Sequence, residues 1–425
     1  MRSFLPTRQL RQLKGADEGQ ALALTAVALV VLILMVGLGV DVGFMRYQKQ
    51  QMQRAADAGA TAGAAALIYG GNYTAAAQND TAANGFTNGQ NGITVTVNKP
   101  PATVGDPYYD NAGYVEVIVA QAQPTFFMRV AGINAVTVRG RAVASAVNSA
   151  SACIYILDPS GTSFPDSGSA NLTSACGILI NSNSSTALNI SGSAAITASS
   201  IGIVGNWTES GSAKVSPTPV TGITPFSDPL AGVGEPTIGS CTSQSGTYSG
   251  SQTATLNPGT FCGGINISGS ATVTFTAGTY ILDGGGLTIS GSGTGTGTGV
   301  TFYDTYDSSH TYAPFNLSGS SATSFSAPTS NTYSATCCEG MLLFQDRSVP
   351  TSASGSSVSG SSGQTYTGAL YFKTTALNYS GSSALAPYNI IVAYTLTLSG
   401  STTINDNYSS LSGGVSPVHA AALAE

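Results

Sequence analysis

The sequence predicts an N-terminal transmembrane helix with a small α+β pilin-like unit, followed by an all-β parallel β-helix or β-solenoid. Three observations lead to this fold class. Residues 21–40 carry no charge, residues 93–147 contain alternating strands, and Ser-Gly-Ser triplets recur from residue 167 at intervals of roughly 20 residues. Twenty apolar residues are enough for a helix to cross a bilayer, and short strands at a fixed period are typical of stacked β-coils.

Composition separates the two halves of the 425-residue chain, which is long enough for two or three domains. Charged residues make up 8%, and glycine accounts for 52 positions. Residues 1–150 carry 11 Lys/Arg and 8 Asp/Glu, whereas residues 151–425 carry 3 and 12. We therefore expect no nucleic-acid partner for the acidic second half. A disordered Ser/Gly linker is the alternative there, and the 42% hydrophobic content of the chain argues against it.

The N-terminal region is predicted to form a basic cytoplasmic tail (residues 1–20) followed by a transmembrane helix (residues 21–40). A cleavable signal peptide is the alternative, but the apolar run is longer than such peptides use and lacks a clean cleavage site. The tail carries four basic residues and residues 46–54 carry three, so the positive-inside rule decides little. Cysteines confined to the far side favour a cytoplasmic N-terminus with the bulk periplasmic or extracellular.

Residues 41–149 are predicted to form a helical stalk and a small α+β domain. The helix continues past Asp41 to Tyr69, and Gly59 and Gly63 in its Ala-rich end permit close helix packing. A short Ala/Asn segment follows at 74–84. Strands are predicted at 93–97, 114–123 and 135–147, and a short helix with Pro124 in its first turn is predicted at 124–132.

The first 150 residues resemble the TadG-like proteins of the Flp (tight-adherence) pilus assembly apparatus. The resemblance rests on GQALALTAVALVVLILMVGLGVDVG, on QKQQMQRAADAGATAGAAAL and on VEVIVAQAQPTFFMRVAGINAVTVRGRAVA. It implies an envelope protein that takes part in assembling or anchoring a pilus used for surface attachment. Type IV prepilins are cut after a glycine and carry Glu at the fifth mature position. Cutting after Gly19 would place Leu24 there, so the chain resembles an accessory membrane protein rather than a polymerising subunit.

Residues 150–412 are predicted to form the β-solenoid, with a C-terminal tail at 413–425. The context of the triplet recurs, as in NISGSAAITA (189–198), NISGSATVTF (266–275) and TLSGSTTIND (397–406). Because one coil cannot bury its inward face alone, stacking must supply the core. On the order of ten coils at about 4.8 Å each would give a rod roughly 50 Å long.

The six cysteines all follow the apolar run, which suggests an oxidising compartment. Cys153 and Cys176 are 23 residues apart, and Cys241 and Cys262 are 21 apart. Each spacing is close to one repeat, so disulfides between adjacent coils are the pairing we expect. Buried free thiols are the alternative. Cys337 and Cys338 are adjacent and harder to assign.

No catalytic constellation, cofactor site or metal site is predicted, and we do not expect an enzyme. A polysaccharide-degrading β-helix would need clustered carboxylates, and Asp304 and Asp307 are the nearest to a pair. Asp158, Ser160 and Thr162 follow a D-x-S-x-T pattern that suits a hard cation, but Asp-Pro-Ser-Gly is also strong turn chemistry. Trp207 offers one ring for stacking on a sugar or for packing.

Two functions remain open from the sequence. The first is a single-pass inner-membrane accessory protein for Flp/Tad pilus assembly or anchoring, with the membrane and other pilus components as partners. The second is an envelope adhesin or carbohydrate-binding solenoid that contacts surface polysaccharide. The first depends on residues 1–150 and the second on residues 150–412, so they are compatible.

Overall fold

The computed structural model describes residues 17–68, 72–149, 152–318, 322–334, 336–359, 364–380, 386–414 and 416–424. Most of the predicted basic tail (1–16), and the predicted glycine stop at Gly70 and Gly71, lie outside these residues. The chain forms two compact units, residues 1–147 with 421–425, and residues 148–420. The predicted architecture is confirmed: a long apolar helix, a small α/β unit, and a parallel β-solenoid of about 11 turns.

The first unit begins with helices α1 (Asp17–Ile68) and α2 (Tyr73–Ala83). With 52 residues, α1 is about 78 Å long. Asn72 caps α2, because its side chain accepts the Ala75 N–H at 3.0 Å. Three strands follow: β1 (Ile93–Asn98), β2 (Tyr114–Pro124) and β3 (Ala135–Ser149). They pair antiparallel in the order of the chain.

The second half of α1 packs on this sheet and on α2 through small side chains. A Cβ atom on Gly59 would lie 2.7 Å from Thr81 Cγ2, and one on Gly63 would lie 3.0 Å from Val115 Cγ1. The first contact is closer than a side chain allows, and the second is tighter than most side-chain contacts. The close packing predicted from Gly59 and Gly63 is therefore present, and its partners belong to the same chain.

The predicted helix at 124–132 is wrong in extent. Pro124 is the last residue of β2 and pairs with Ala135, and the Thr125 N–H continues the hairpin by donating to the Asn134 carbonyl at 3.1 Å. Only Met128–Ala131 forms a helical turn, of the 3-10 type. Antiparallel pairing continued past Pro124, because proline is tolerated where no ladder N–H is required.

The second unit has two blocks of short strands. The first block contains β4 (Ala152–Ile156), β5 (Phe164–Asp166), β6 (Asn171–Ser174), β7 (Gly177–Ile180), β8 (Leu188–Ile190), β9 (Ala195–Thr197), β10 (Ile201–Ile203), β11 (Trp207–Glu209), β12 (Lys214–Ser216) and β13 (Val220–Thr221). The second block contains β14 (Thr247–Tyr248), β15 (Thr253–Leu256), β16 (Gly259–Cys262), β17 (Ile265–Ile267), β18 (Thr272–Phe275), β19 (Gly278–Asp283), β20 (Leu287–Ile289), β21 (Thr294–Thr298), β22 (Val300–Thr305), β23 (Asn316–Leu317), β24 (Ser324–Ser326), β25 (Met341–Gln345), β26 (Ser356–Ser359), β27 (Thr365–Ser380), β28 (Asn389–Ser399) and β29 (Ser401–Ile404). A full coil contributes one strand to each of three parallel faces, as β7, β8 and β9 do.

Several Ser-Gly-Ser triplets, among them those at 167–169, 191–193, 249–251 and 268–270, form corners of the coils. Gly192 has a positive φ of 75°, and its Cβ would lie 2.7 Å from the Gly168 carbonyl oxygen of the preceding coil. Gly269 stands in the same relation to Gly250. Only glycine fits a column in which each corner rests on the backbone below it. This constraint explains why the triplet marks the repeat.

The coils do not stack in chain order. In the first block each successive coil lies one step further from β4, since β4 pairs with β7, β7 with β10 and β10 with β13. The second block ends with the coil that contains β28. Ile391 of β28 pairs in parallel with Ile154 of β4, the first strand of the first block. β29 pairs with β6 in the same way. The first block therefore stacks on the last coil of the second, and both chain ends of the solenoid lie within the stack.

Residues 222–246, which we call the strap, connect the two blocks along the side of the stack. Near one end of the strap, the Phe226 N–H donates to Asn181 Oδ1 at 3.1 Å, just after β7. Toward the other end, the Gly239 N–H donates to Thr260 Oγ1 at 3.2 Å in β16. Because β7 and β16 lie on opposite sides of the β4–β28 pairing, the strap must pass several coils.

Arg347 holds the middle of the strap. Its Nη2 donates to the carbonyl oxygens of Leu230 (2.7 Å) and Val233 (3.0 Å), and its Nη1 lies 3.5 Å from Glu235 Oε2. The guanidinium also stacks 5.2 Å from the centre of the Tyr371 ring. A planar group with five donors suits this task, so one of the three basic residues of the acidic half has a structural role.

The C-terminal residues were predicted only as a tail, and this is wrong for residues 419–423. They form strand β30 (His419–Leu423), which joins the sheet of the first unit beside β3. The Ala424 N–H donates to the Val143 carbonyl at 2.8 Å. An open edge of β3 supplies unpaired backbone groups, and the returning chain satisfies them.

Arg347→Met should loosen the strap, because it removes the guanidinium hydrogen bonds to the Leu230 and Val233 carbonyls and the ion pair with Glu235. We expect limited proteolysis within residues 222–246 to become roughly ten-fold faster or more. Lys373→Met is the matched control, since it removes a basic residue of the same block. Equal cleavage rates in both variants would show that Arg347 does not hold the strap.

Candidate functional site: the apolar helix and the Asp41 junction

Helix α1 has two environments along its length. From Leu22 to Val40 its large apolar side chains are exposed, with Leu29 at 60% and Val36 at 69%. Beyond Asp41, residues such as Met52 and Ala56 are fully buried in the first unit. Of the described residues, α1 is the one helix long and apolar enough to span a membrane. Thr25 does not interrupt it, because its hydroxyl donates to the Leu22 carbonyl at 3.0 Å.

Asp41 stands where these two environments meet and is itself fully buried. Its Oδ1 accepts the backbone N–H of Phe126 at 2.8 Å, and its Oδ2 accepts those of Phe127 (2.9 Å) and Met128 (2.7 Å). These N–H groups precede or begin a helical turn, so they have no partner within it. One carboxylate therefore fastens the β2–β3 loop to α1. We call Asp41 and residues 125–133 the Asp41 junction.

Aromatic packing supports the junction on both sides of Asp41. Gly37 leaves the space that the Phe127 ring occupies, and any Cβ atom there would collide with that ring. Phe44 meets Phe126 edge to face, with ring centroids 5.5 Å apart. The loop is thus fixed to α1 by three hydrogen bonds and two ring contacts.

The junction leaves an apolar rim facing outward. Phe126 is 57% exposed, Val130 is 80% exposed, and Phe127 and Ile133 are about 40% exposed. This rim lies beside the point where the exposed apolar run of α1 ends. Large apolar groups in that position suit the boundary between water and hydrocarbon.

A buried ionic network stabilises the sheet of the same unit. Glu116 is fully buried, and its Oε1 lies 2.6 Å from Arg141 Nε. Burial by itself would raise the pKa of Glu116. Hydrogen bonds from Thr103, Asn98, Ala102 and Arg141 outweigh that effect and hold the pKa below its usual range. The network fastens the loop after β1 to the sheet.

The cysteines of both predicted pairs lie at disulfide distance. Their Cα atoms are 5.7 Å apart for Cys153 and Cys176 and 5.6 Å apart for Cys241 and Cys262. Adjacent coils bring each pair together, as the repeat spacing implied. The sulfur atoms of Cys337 and Cys338 also meet.

The D-x-S-x-T pattern forms a turn. Asp158 Oδ1 accepts the Ser160 N–H at 3.0 Å, which is the hydrogen bond of an Asx turn. Thr162 Oγ1 instead lies 2.9 Å from Thr186 Oγ1 on the next coil. The hydroxyls therefore do not converge on the carboxylate.

Asp304 and Asp307, the nearest to a carboxylate pair in the sequence, do not lie together in the structure. Asp304 faces the interior, and complete burial raises its pKa well above the usual range. Asp166 is also buried, which raises its pKa to about 6. Asp307 is partly exposed and meets Asp283 and His310 instead of Asp304, a grouping that the sequence analysis missed. Trp207 packs against the core.

Asp41→Asn should release the β2–β3 loop from α1, because an amide cannot accept all three N–H bonds and carries no charge. Hydrogen bonds to a charged group contribute about 1.5–3 kcal/mol, so we expect exchange of the residue 126–128 amides to become ten-fold faster or more. Asp57→Asn, on the same helix, is the control. Unchanged exchange would contradict the assignment of Asp41 as the fastener.

The two disulfides are tested by peptide mapping of the purified chain without reductant. We expect linked peptides for Cys153–Cys176 and for Cys241–Cys262. Replacing both members of one pair by serine should destabilise the solenoid by about 3 kcal/mol, because each bond closes a loop of just over 20 residues. Six alkylatable thiols, or crossed pairs, would contradict this arrangement.

Comparison with known proteins gives a match to a family model. No curated protein and no solved structure is significantly similar to the chain. Residues 19–66, which contain the exposed apolar run, Asp41 and most of the packed half of α1, match the family described as "Putative Flp pilus-assembly TadE/G-like". The resemblance predicted from the sequence is confirmed over this segment, and together with the apolar helix it suggests a Flp pilus-associated, membrane-anchored protein.

Proposed function

We propose that the chain is a non-enzymatic accessory protein of a Flp/Tad pilus system, anchored in the bacterial inner membrane by residues 21–40. In this role it takes part in assembling or anchoring the pilus and carries the solenoid on the far side of the membrane. The observation that carries the proposal is α1. Its exposed apolar half has the length of a bilayer span, and the family match covers the same helix.

The Asp41 junction supports anchoring by more than one element. A loop tied to α1 at the end of the apolar run would bring Phe126 and Val130 to the membrane surface. Aromatic and aliphatic side chains are favoured at that depth, and Arg129 beside them can reach lipid headgroups. The first unit would then rest on the membrane through both the helix and the loop.

A cytoplasmic N-terminus and an oxidising far side are part of the proposal. The basic residues before the span and the cysteine pairs at disulfide distance support it. The positions of three carboxylates in the solenoid support a structural rather than a catalytic role for it. Asp158 forms a turn, and Asp166 and Asp304 are enclosed.

A second candidate function, attachment to surface polysaccharide, is favoured by the outer face of β15, β18, β21, β24 and β27. Thr255, Thr274, Thr296, Ser324 and Thr365 occupy one register position on five successive coils. Hydroxyls repeat there at about 4.8 Å. Thr253, Thr272 and Thr294 form a second, shorter row two residues earlier on the first three strands. A regular row of hydroxyls can hydrogen-bond to a repeating polyol surface.

Two charges in the span, Leu29→Arg with Leu32→Arg, should remove the protein from the membrane. Each arginine costs about 2.5–3.5 kcal/mol at the centre of a spanning helix. We expect loss of the chain from carbonate-washed membranes and loss of its function in the cell. Val104→Arg is the control, because Val104 is an 81% exposed apolar residue outside the helix. Full membrane retention of the double variant would contradict the anchor.

Deleting the gene separates the two functions. Loss of surface pili, restored by the wild-type chain and not by the double arginine variant, supports the accessory role. Normal pili with reduced attachment support the polysaccharide role. Normal pili with normal attachment would contradict both.

A further inference from the structure

Three side chains with metal-binding atoms meet on the solenoid, away from the Asp41 junction and from the hydroxyl rows. They are Asp283, Asp307 and His310, and their ligand atoms lie within 4.8 Å of one another. Asp283 is the last residue of β19, and the other two belong to the loop after β22. Two adjacent coils therefore supply the cluster.

The geometry centres on one imidazole nitrogen. His310 Nδ1 lies 2.8 Å from Asp283 Oδ2 and 3.1 Å from Asp307 Oδ1. Ligands of a tetrahedral Zn²⁺ ion, at about 2.0–2.2 Å from the metal, are about 3.3 Å apart. The distances from the imidazole nitrogen to the two carboxylates are thus close to those that a tetrahedral ion requires, and all three ligand atoms lie within 4.8 Å of one another. Water would supply the fourth ligand.

The surrounding backbone fixes these positions. Asp307 Oδ1 accepts the N–H groups of Ser309 (2.7 Å) and His310 (2.8 Å), so the loop curls around its own carboxylate. Gly284 follows Asp283 with a φ of 71°, and a Cβ there would lie 2.7 Å from His310 Cβ. The loop can rest on the turn after β19 only because this residue is glycine.

One carboxylate oxygen of the cluster is unsatisfied. Asp283 is 1% exposed, and its Oδ1 has no hydrogen-bond partner among the described residues. Burial raises the pKa of Asp283, the neighbouring charge of Asp307 raises it further, and His310 lowers it. A buried anionic oxygen without a partner is costly, and a bound cation would remove that cost.

We propose that Asp283, Asp307 and His310 bind one Zn²⁺ ion between the coils of β19 and β22. Asp283 is the buried ligand, while Asp307 and the His310 ring, which is 30% exposed, leave a path from solvent. The ion would join two coils across a loop of the solenoid, in addition to the backbone ladder. The proposal is independent of the pilus role.

Zinc is the cation that this ligand set favours. An imidazole nitrogen with two carboxylates matches the N/O ligands of Zn²⁺, whereas Ca²⁺ takes six to eight oxygens. Cys262 Sγ lies 3.9 Å from Asp283 Oδ2, and the sulfur atoms of Cys241 and Cys262 lie within 4.8 Å of a His310 ring nitrogen. With that cysteine pair oxidised, sulfur is not a ligand, so the site is of the histidine–carboxylate type.

The test is calorimetric titration of Zn²⁺ into the full-length, detergent-solubilised chain with its disulfides intact, after removal of metal by chelation. We expect one Zn²⁺ per chain with a Kd in the micromolar range or below, and a higher Tm with the ion present. His310→Gln should weaken binding at least ten-fold, as should Asp307→Asn. His419→Gln is the matched control, since it changes the other histidine of the chain, and it should bind as the wild type does.

Four results would overturn the proposal. They are no zinc binding by the wild type, equal binding by His310→Gln, displacement of zinc by equimolar Ca²⁺, and binding that requires prior reduction of the disulfides. The last would identify a thiolate site at Cys241 and Cys262 instead. His310→Gln changes a partly exposed side chain and is expected to fold, which its circular dichroism spectrum checks.

Discussion

The parallel pairing of β4 with β28 is the constraint on which the solenoid depends. Ile154 and Ile391 are 237 positions apart in the chain, yet they occupy neighbouring coils. This contact joins two blocks that would each otherwise end in an open, apolar coil. It also requires a long connection along the outside of the stack, and so it explains the strap and the burial of an arginine among backbone carbonyls. Local repeats build each block, and the long-range pairings of β4 with β28 and of β6 with β29 make them one core.

A comparable constraint governs the first unit. One helix leaves its apolar side chains exposed along its first half and packs against a protein core along its second half. The apolar run ends at buried Asp41, and full burial in the core of the first unit begins at Met52. A charged side chain at that boundary is tolerated because three backbone N–H groups surround it. The residue that ends the apolar run is therefore also the residue that attaches the sheet to the helix.

Much of the fold could be predicted because it follows from local patterns. The apolar run, the alternating strands and the Ser-Gly-Ser period each depend on nearby residues, and they predicted the elements within a few positions. The wrong predictions concern segments whose structure is set by hydrogen bonds to residues distant in the chain. The turn after Pro124 is short because the hairpin extends to Asn134, and the last residues are a strand because β3 has a free edge. The Asp283, Asp307 and His310 cluster was missed because Asp283 and His310 are 27 positions apart and meet only through coil stacking.

The sequence by itself determined the composition of each part: an uncharged span, an Ala- and Gly-rich packing face, and repeats whose glycines must form corners. These features are local, because they depend on hydrophobic length, side-chain size and the allowed φ of glycine. Only the tertiary structure decided the order in which the coils stack, the route of the strap, the partner of Asp41 and the strand that completes the first sheet. Each of these depends on which unsatisfied backbone groups and apolar edges meet in space, and separation along the chain carries no information about that.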